Sequence, residues 1–178
     1  MTDARSQSTY QVRLGWGAKA LTQLAEAQIV VIVDAIDATN RAEGLAAQAA
    51  ALPHRPTVFL GSLRNATATA RAVYDDQLAR GDRTAINLVL AGDEDDGFAV
   101  EDYLAAGAIA DALTALGIDH SAPDVAVATE GFRPLTRAVK HLFSASAAGA
   151  SLKQAGRAEA AKAAAQHDAE TEAVHFAG

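Results

Sequence analysis

The stretch "QIVVIVDA", residues 28–35, constrains the fold more than any other part of the chain. An uninterrupted β-branched run of this length fits a strand buried on both faces, which occurs where helices cover a parallel sheet on each side. Two further strand candidates follow, "TVFLG" after Pro56 and "INLVLAG" after the turn-like "ARGDR". Each precedes a helical pattern, "NATATARAVYDDQLA" in one case and "VEDYLAAGAIADALTAL" in the other. Strands alternating with helices predict an α/β fold, three-layer α/β/α with a central, largely parallel or mixed sheet.

The flanking segments add detail. "YQVRLGW" alternates well enough for an edge strand, and Ala18 to Ala27 reads as a helix. From Pro123 to Phe143, and again from Leu152 to about Asp168, the pattern is helical, with Gly131, Pro134 and Gly149 read as interruptions. "TEAVHFAG" suits a short closing strand or a frayed tail equally well. Residues 1–9 are polar, have nothing to bury and are expected to form a flexible tail. The whole, residues 1–178, is expected to be a single domain.

Composition narrows the function. Half of the 178 residues are apolar but only 5% are aromatic, so the core should be built from small side chains that allow close helix packing. A formal charge of −7 argues against a nucleic-acid partner, which calls for a basic face, and against an anionic membrane surface. With no cysteine there is no disulfide framework, thiolate nucleophile or cysteine metal site. The N-terminus lacks an apolar signal core and no apolar run approaches the roughly 20 residues of a membrane span. A soluble cytoplasmic protein is expected. The alanine-rich helices are compatible with a homodimer.

In an open α/β sheet, ligands bind beyond the carboxyl ends of the strands, where following helices present free N–H groups. If the strands are parallel, Asp34, Ser62, Arg64, Asn65, Thr67, Asp93, Glu101 and Asp102 approach one edge. Carboxylates beside arginine, hydroxyls and helix N-termini suit a hard cation holding an anionic oxygen ligand, the setting of Mg²⁺-assisted phosphoryl chemistry. Each element also has a structural reading. Asp34 and Asn65 could cap helices, and Glu101 and Asp102 open a helix where the macrodipole favours negative charge. Asp93 to Asp96, "DEDD", reads as a solvated acidic loop and lacks EF-hand spacing. The five histidines are dispersed without metal-ligand spacing, and no Walker loop, Gly-x-Ser-x-Gly elbow or Gly-x-Gly-x-x-Gly turn is present. "DAIDAT" differs from an Asp-x-Asp-x-Thr nucleophile motif because its aspartates are three apart.

The segment "INLVLAGDEDDGFAVEDYLAAGAIADAL" resembles the part of 2-phosphosulfolactate phosphatases in which an Ala-Gly turn leads to Phe-x-(Leu/Val)-Glu-Asp and an Ala-Gly-Ala-Ile helix. "VVIVDAIDATN" is similar to that family's Val-Asp-Val-Leu-Arg-Ala-Thr-Thr stretch, "GSLRNATATARAV" to its Thr-Asn-Gly-Thr or Arg-Asn-x-Thr turn and following helix, and "SLKQAGRAEAAKAAAQHDAETEAV" to its C-terminal helix. The resemblance implies an α/β/α enzyme that uses Mg²⁺ to hydrolyse 2-phospho-3-sulfolactate, or a similar small phosphorylated acid, in coenzyme M synthesis. It implies Asp34, Glu101 and Asp102 as the catalytic acidic positions, with Asp34 and Glu101 as metal ligands. Ser62, Arg64, Asn65 and Thr67 become the substrate-anion positions. Two departures stand out. Asp37 occupies the place of the family's arginine, and the family's Gly-Asn-Ser-Pro stretch has no counterpart in "RAEGLAAQAAALPHRP". They favour, as the alternative, a member without catalysis that binds a small anion or a protein partner.

Overall fold

Strand β2 (Ile29–Val33) lies in the interior of the sheet, every residue buried. Its side chains alternate between two cores. Ile29, Val31 and Val33 enter the larger one, whereas Val30 and Ile32 enter the smaller. This double burial is why the run contains no polar residue. The computed structural model describes residues 3–37, 39–93 and 97–177.

The remaining strands are β1 (Val12–Trp16), β3 (Thr57–Gly61), β4 (Ile86–Leu90) and β5 (Val174–His175), and the sheet order is β1-β4-β2-β3-β5. All neighbours pair in parallel except β5, which joins β3 antiparallel. The sheet is therefore mixed and largely parallel, and the C-terminal segment closes it as a strand.

Helices α1 (Gly17–Gln23) and α2 (Arg41–Ala50) cover one face, contributing Ala20, Ala42, Leu45, Ala46 and Ala49 to the smaller core. The helices α3 (Ala66–Arg80), α4 (Val100–Ala115) and α5 (Pro123–Leu135) cover the other. Helix α4 can sit so close to α5 because Gly107 has no side chain: a Cβ there would lie 2.2 Å from the Ala128 carbonyl oxygen. The chain ends in three short helices, α6 (Val139–Ala145), α7 (Ala147–Gln154) and α8 (Ala158–Ala164).

Some boundaries differ from expectation. Helix α5 runs through Gly131 and stops only after Pro134, whose lost bond to the carbonyl four residues back falls in the last turn, one residue from the helix end. Gly149 lies within α7, whose first turn is capped by the Ser146 hydroxyl accepting its N–H at 3.1 Å. The polar segment before β1 is bonded to it: Gln7 donates through Nε2 to the Leu14 carbonyl and accepts the Leu14 N–H through Oε1.

The connections leaving β2 and β4 diverge. From β2 the chain passes through α2 to β3, while from β4 it passes through α4 to Ser121, which bridges to β1 at Val12 on the opposite side. Adjacent parallel strands whose connections part in this way leave a crevice at their carboxyl ends, where α/β proteins bind ligands.

Candidate active site

Asp34 and Gly92 follow β2 and β4 on the two sides of this crevice, and the first turn of α4 joins them. Gly92 takes φ +71°, a left-handed conformation that a Cβ would strain, and so turns its N–H toward the helix. Asp102 receives that N–H on Oδ2 at 2.8 Å and the Ala35 N–H on Oδ1, also at 2.8 Å. Only 2% of Asp102 is exposed. Its carboxylate thus ties the ends of two parallel strands to one helix. Burial and the neighbouring Asp34 charge raise its pKa well above the ordinary carboxylate value, and the two N–H bonds pull it back toward the ionised form.

Asp34 is half-buried, and its own N–H donates to the Gly61 carbonyl at 3.1 Å, holding the strand end in register with β3. Its pKa is pushed up to about 7, first by burial and then by the charge of Asp37, with Glu101 adding to the effect. A hydrogen bond from the Ile36 N–H and the charge of Arg41 oppose the rise. Asp34 is therefore a carboxylate that lacks sufficient counter-charge.

Glu101 sharpens this point. It is 4% exposed, yet its carboxylate makes no hydrogen bond or ion pair with another described residue. The carboxylate oxygens are not among the buried polar atoms without a partner, so they stay open to solvent at the crevice, where a cation or a ligand proton can meet them. Among the described residues no group of three or more His, Cys, Asp or Glu is placed to hold a metal ion. Mg²⁺ does not require one, since it commonly takes one or two carboxylates and completes its shell with water and substrate oxygens. Asp34 and Glu101 fit that demand, and Asp102, with an N–H on each oxygen, orients the frame.

The four positions expected to bind anions lie at the β3 end, and each engages the protein's own groups. Ser62 and Asn65 form a capping box: Ser62 Oγ accepts the Arg64 N–H at 3.2 Å, and Asn65 Oδ1 accepts the Ser62 N–H at 2.8 Å. Asn65 Nδ2 also donates to the Leu60 carbonyl. Arg64 donates to Glu170 at 2.8 Å, to the Ala163 carbonyl at 2.6 Å and to Gln166 at 3.2 Å, binding the C-terminal segment to the sheet edge. Thr67 gives its N–H and its hydroxyl to the two oxygens of Asp168, at 2.9 and 2.7 Å. The first turn of α3 is thus already met by an anion, the protein's own carboxylate. Of the acidic run, Asp93 accepts the Gly97 N–H at 2.7 Å, and Glu94 to Asp96 lie outside the described residues, as does Ala38 of the first motif.

One neighbour of the carboxylates was not picked out from the sequence. Arg41, at the start of α2, donates through Nη2 to the Ala91 carbonyl at 3.0 Å, and its N–H bonds Asp37 Oδ1 at 3.1 Å. Asp37, which stands out in the sequence as occupying the place of an arginine, thus accepts a bond at the start of α2. An arginine seven residues after Asp34 has no motif to mark it; only the turn between them brings its charge back toward Asp34.

A family model described as 2-phosphosulpholactate phosphatase matches residues 35–175. The chain belongs to the 2-phosphosulpholactate phosphatase family. The match begins at the residue after Asp34 and takes in α4 with Glu101 and Asp102. No curated protein matches the chain. Among the described residues of this family member, no helix is long and apolar enough to cross a membrane.

Proposed function

We propose that this family member is a Mg²⁺-dependent phosphatase that hydrolyses the phosphate monoester of 2-phospho-3-sulfolactate or a similar small phosphorylated acid. The observation that carries the reading is Glu101: a carboxylate on a residue only 4% exposed, without a protein partner and with its oxygens open to the crevice between β2 and β4, coupled electrostatically to the under-compensated Asp34. Asp34 and Glu101 would hold the cation. Bound Mg²⁺ supplies neutralising charge and polarises phosphoryl oxygens. Asp102 is a positioning residue, acting through the Ala35 and Gly92 backbone. In the reaction water adds to phosphorus, the ester P–O bond breaks, and the departing oxygen takes a proton to leave inorganic phosphate and a hydroxy acid. Ser62, Arg64, Asn65 and Thr67 border the phosphate position in this reading and shape it through the loop they brace.

A second reading draws support from the same edge. Asp37 stands where the family has arginine, and the hydroxyl, amide and guanidinium groups at the β3 end are committed to internal bonds. A member that binds a small acid without turning it over would have this appearance. Inorganic phosphate release from 2-phospho-3-sulfolactate and related phosphorylated hydroxy acids, with Mg²⁺ and with chelator, separates the two. Chelator-sensitive release that is lost in Glu101→Gln supports the phosphatase. Folded protein that binds the acids and releases no phosphate supports the second reading.

A further inference from the structure

A second concavity opens directly beside Asp34, a cleft of about 250 Å³ whose near wall is the loop Ala35, Ile36 and Asp37. Its other walls carry Arg64 and Arg157, and its floor is formed by Leu152 and alanines of α8. Two guanidinium groups on one small cleft are conspicuous in a chain of net charge −7. They differ in commitment. Arg64 is braced by Glu170 and by the Ala163 carbonyl, which fixes its plane. The Arg157 guanidinium makes no hydrogen bond or ion pair with another described residue, so its donors are available to a ligand.

We propose that this cleft is a subsite for the non-reacting acidic group, carboxylate or sulfonate, of a phosphorylated hydroxy acid, and that Arg157 is the residue that recognises it. The proposal rests on the phosphatase reading above and names what that reading leaves open, the determinant of substrate class. Ala35 lines the cleft and is the residue after Asp34, so in this proposal a short acid has its phosphate near the end of β2 and its far end in the cleft. Guanidinium groups pair with planar or tetrahedral oxyanions through two parallel N–H bonds, giving orientation as well as affinity. Asp37 beside the cleft disfavours a bulky polyanion and leaves Arg157 to a single acidic group. The alanine floor, with Ala160 on α8, supplies room for a short carbon chain.

The test measures selectivity and binding in the full chain. For Arg157→Gln, the ratio of kcat/KM for phosphorylated acids over a phosphoester without a second acidic group, such as glycerol phosphate, should fall about tenfold or more, the usual loss for a charged hydrogen bond. Arg157→Lys should recover part of the ratio, and Ala160→Leu, which narrows the cleft and keeps the charge, should lower it too. An unchanged ratio in Arg157→Gln would overturn the proposal. Titration calorimetry with sulfolactate and sulfoacetate keeps the subsite testable if no phosphoester is hydrolysed. Binding to the wild type that weakens about tenfold in Arg157→Gln supports the subsite even where the phosphatase reading has failed. Binding that is absent, or indifferent to residue 157, rejects it.

Discussion

Asp102 fixes the position of Ala35 from 67 residues away, its Oδ1 accepting the Ala35 N–H at 2.8 Å while Oδ2 holds Gly92. The carboxylate therefore works as a strut between β2, β4 and α4. Asp102→Ala leaves both N–H groups without their acceptor and should cost on the order of 2–4 kcal/mol in denaturant unfolding, since each unmade buried bond costs roughly 1–3. Asp102→Asn keeps one acceptor and should cost less. Because the strut sets where Asp34 stands, kcat should fall in both variants by more than KM changes. A variant with full kcat and native stability would deny Asp102 this role.

Cation binding is testable without turnover. If Asp34 and Glu101 hold Mg²⁺, the ion binds the native state preferentially and stabilises it by about 2.7 kcal/mol at a hundred times Kd. For a chain of this size that is a rise in Tm of roughly 5–10 °C. Chelator should reverse it. Glu101→Gln should abolish the Mg²⁺-induced rise while leaving the metal-free Tm equal or higher, because a like charge that opposes ionisation of Asp34 has been removed. A shift of the same size in wild type and Glu101→Gln would place the ion elsewhere.

The carboxylate crowding also predicts a pH dependence for the metal-free protein. The folded-state pKa of Asp34 is raised from 3.8 to about 7, so between these values the native state binds more protons than the unfolded chain. Stability should therefore fall as pH rises from about 4 to 7 and level off above, with a contribution of at most on the order of 4 kcal/mol. Asp34→Asn should have a shallower slope, the remainder belonging to Asp102, whose pKa is also raised, and should exceed the wild type in stability at pH 8. Unfolding curves from pH 4 to 8 would show it. A wild type whose stability rises through this range more than that of Asp34→Asn would contradict the sign.

The sheet was legible because its signal is local. "IVVIV" could be read as a doubly covered strand without knowing its neighbours, and parallel strands followed by helices place Asp34 and α4 at one edge by topology alone. What escaped were polar contacts made across long stretches of chain. Thr67 offers its donors to Asp168, 101 residues away, and Arg64 reaches Glu170, 106 away. Neither pairing leaves a periodicity or spacing. Arg157 escaped for a related reason: it stands in an alanine-rich helical stretch and lines a cleft with residues 35–37 only because α7 and α8 fold back beside the β2 loop. The same limit made Gly131 look like an interruption, since whether a glycine breaks a helix depends on what the helix packs against.

Gly107 offers the final test, because it connects packing with the site. A Cβ at this position would lie 2.2 Å from the Ala128 carbonyl oxygen and 2.9 Å from the Phe132 Cβ, both on α5, so neither obstacle can rotate away. Gly107→Ala gains intrinsic helix propensity of about 1 kcal/mol in an exposed helix. Here that gain should be outweighed, since relieving the overlap requires α4 to shift from α5, at a typical overpacking cost of about 1–3 kcal/mol or more. The first turn of α4 carries Glu101 and Asp102, and Asp102 is tied to two strand ends. A displaced helix must strain those bonds or lose them. Gly107→Ala should therefore combine lower stability with a weakened Mg²⁺-induced rise in Tm, although the residue touches neither carboxylate. Gly131→Ala is the control: a Cβ there meets nothing within 4 Å. It should leave the Mg²⁺ response intact and stabilise the protein slightly, and equal effects of the two substitutions would show that α4 packing does not position the site.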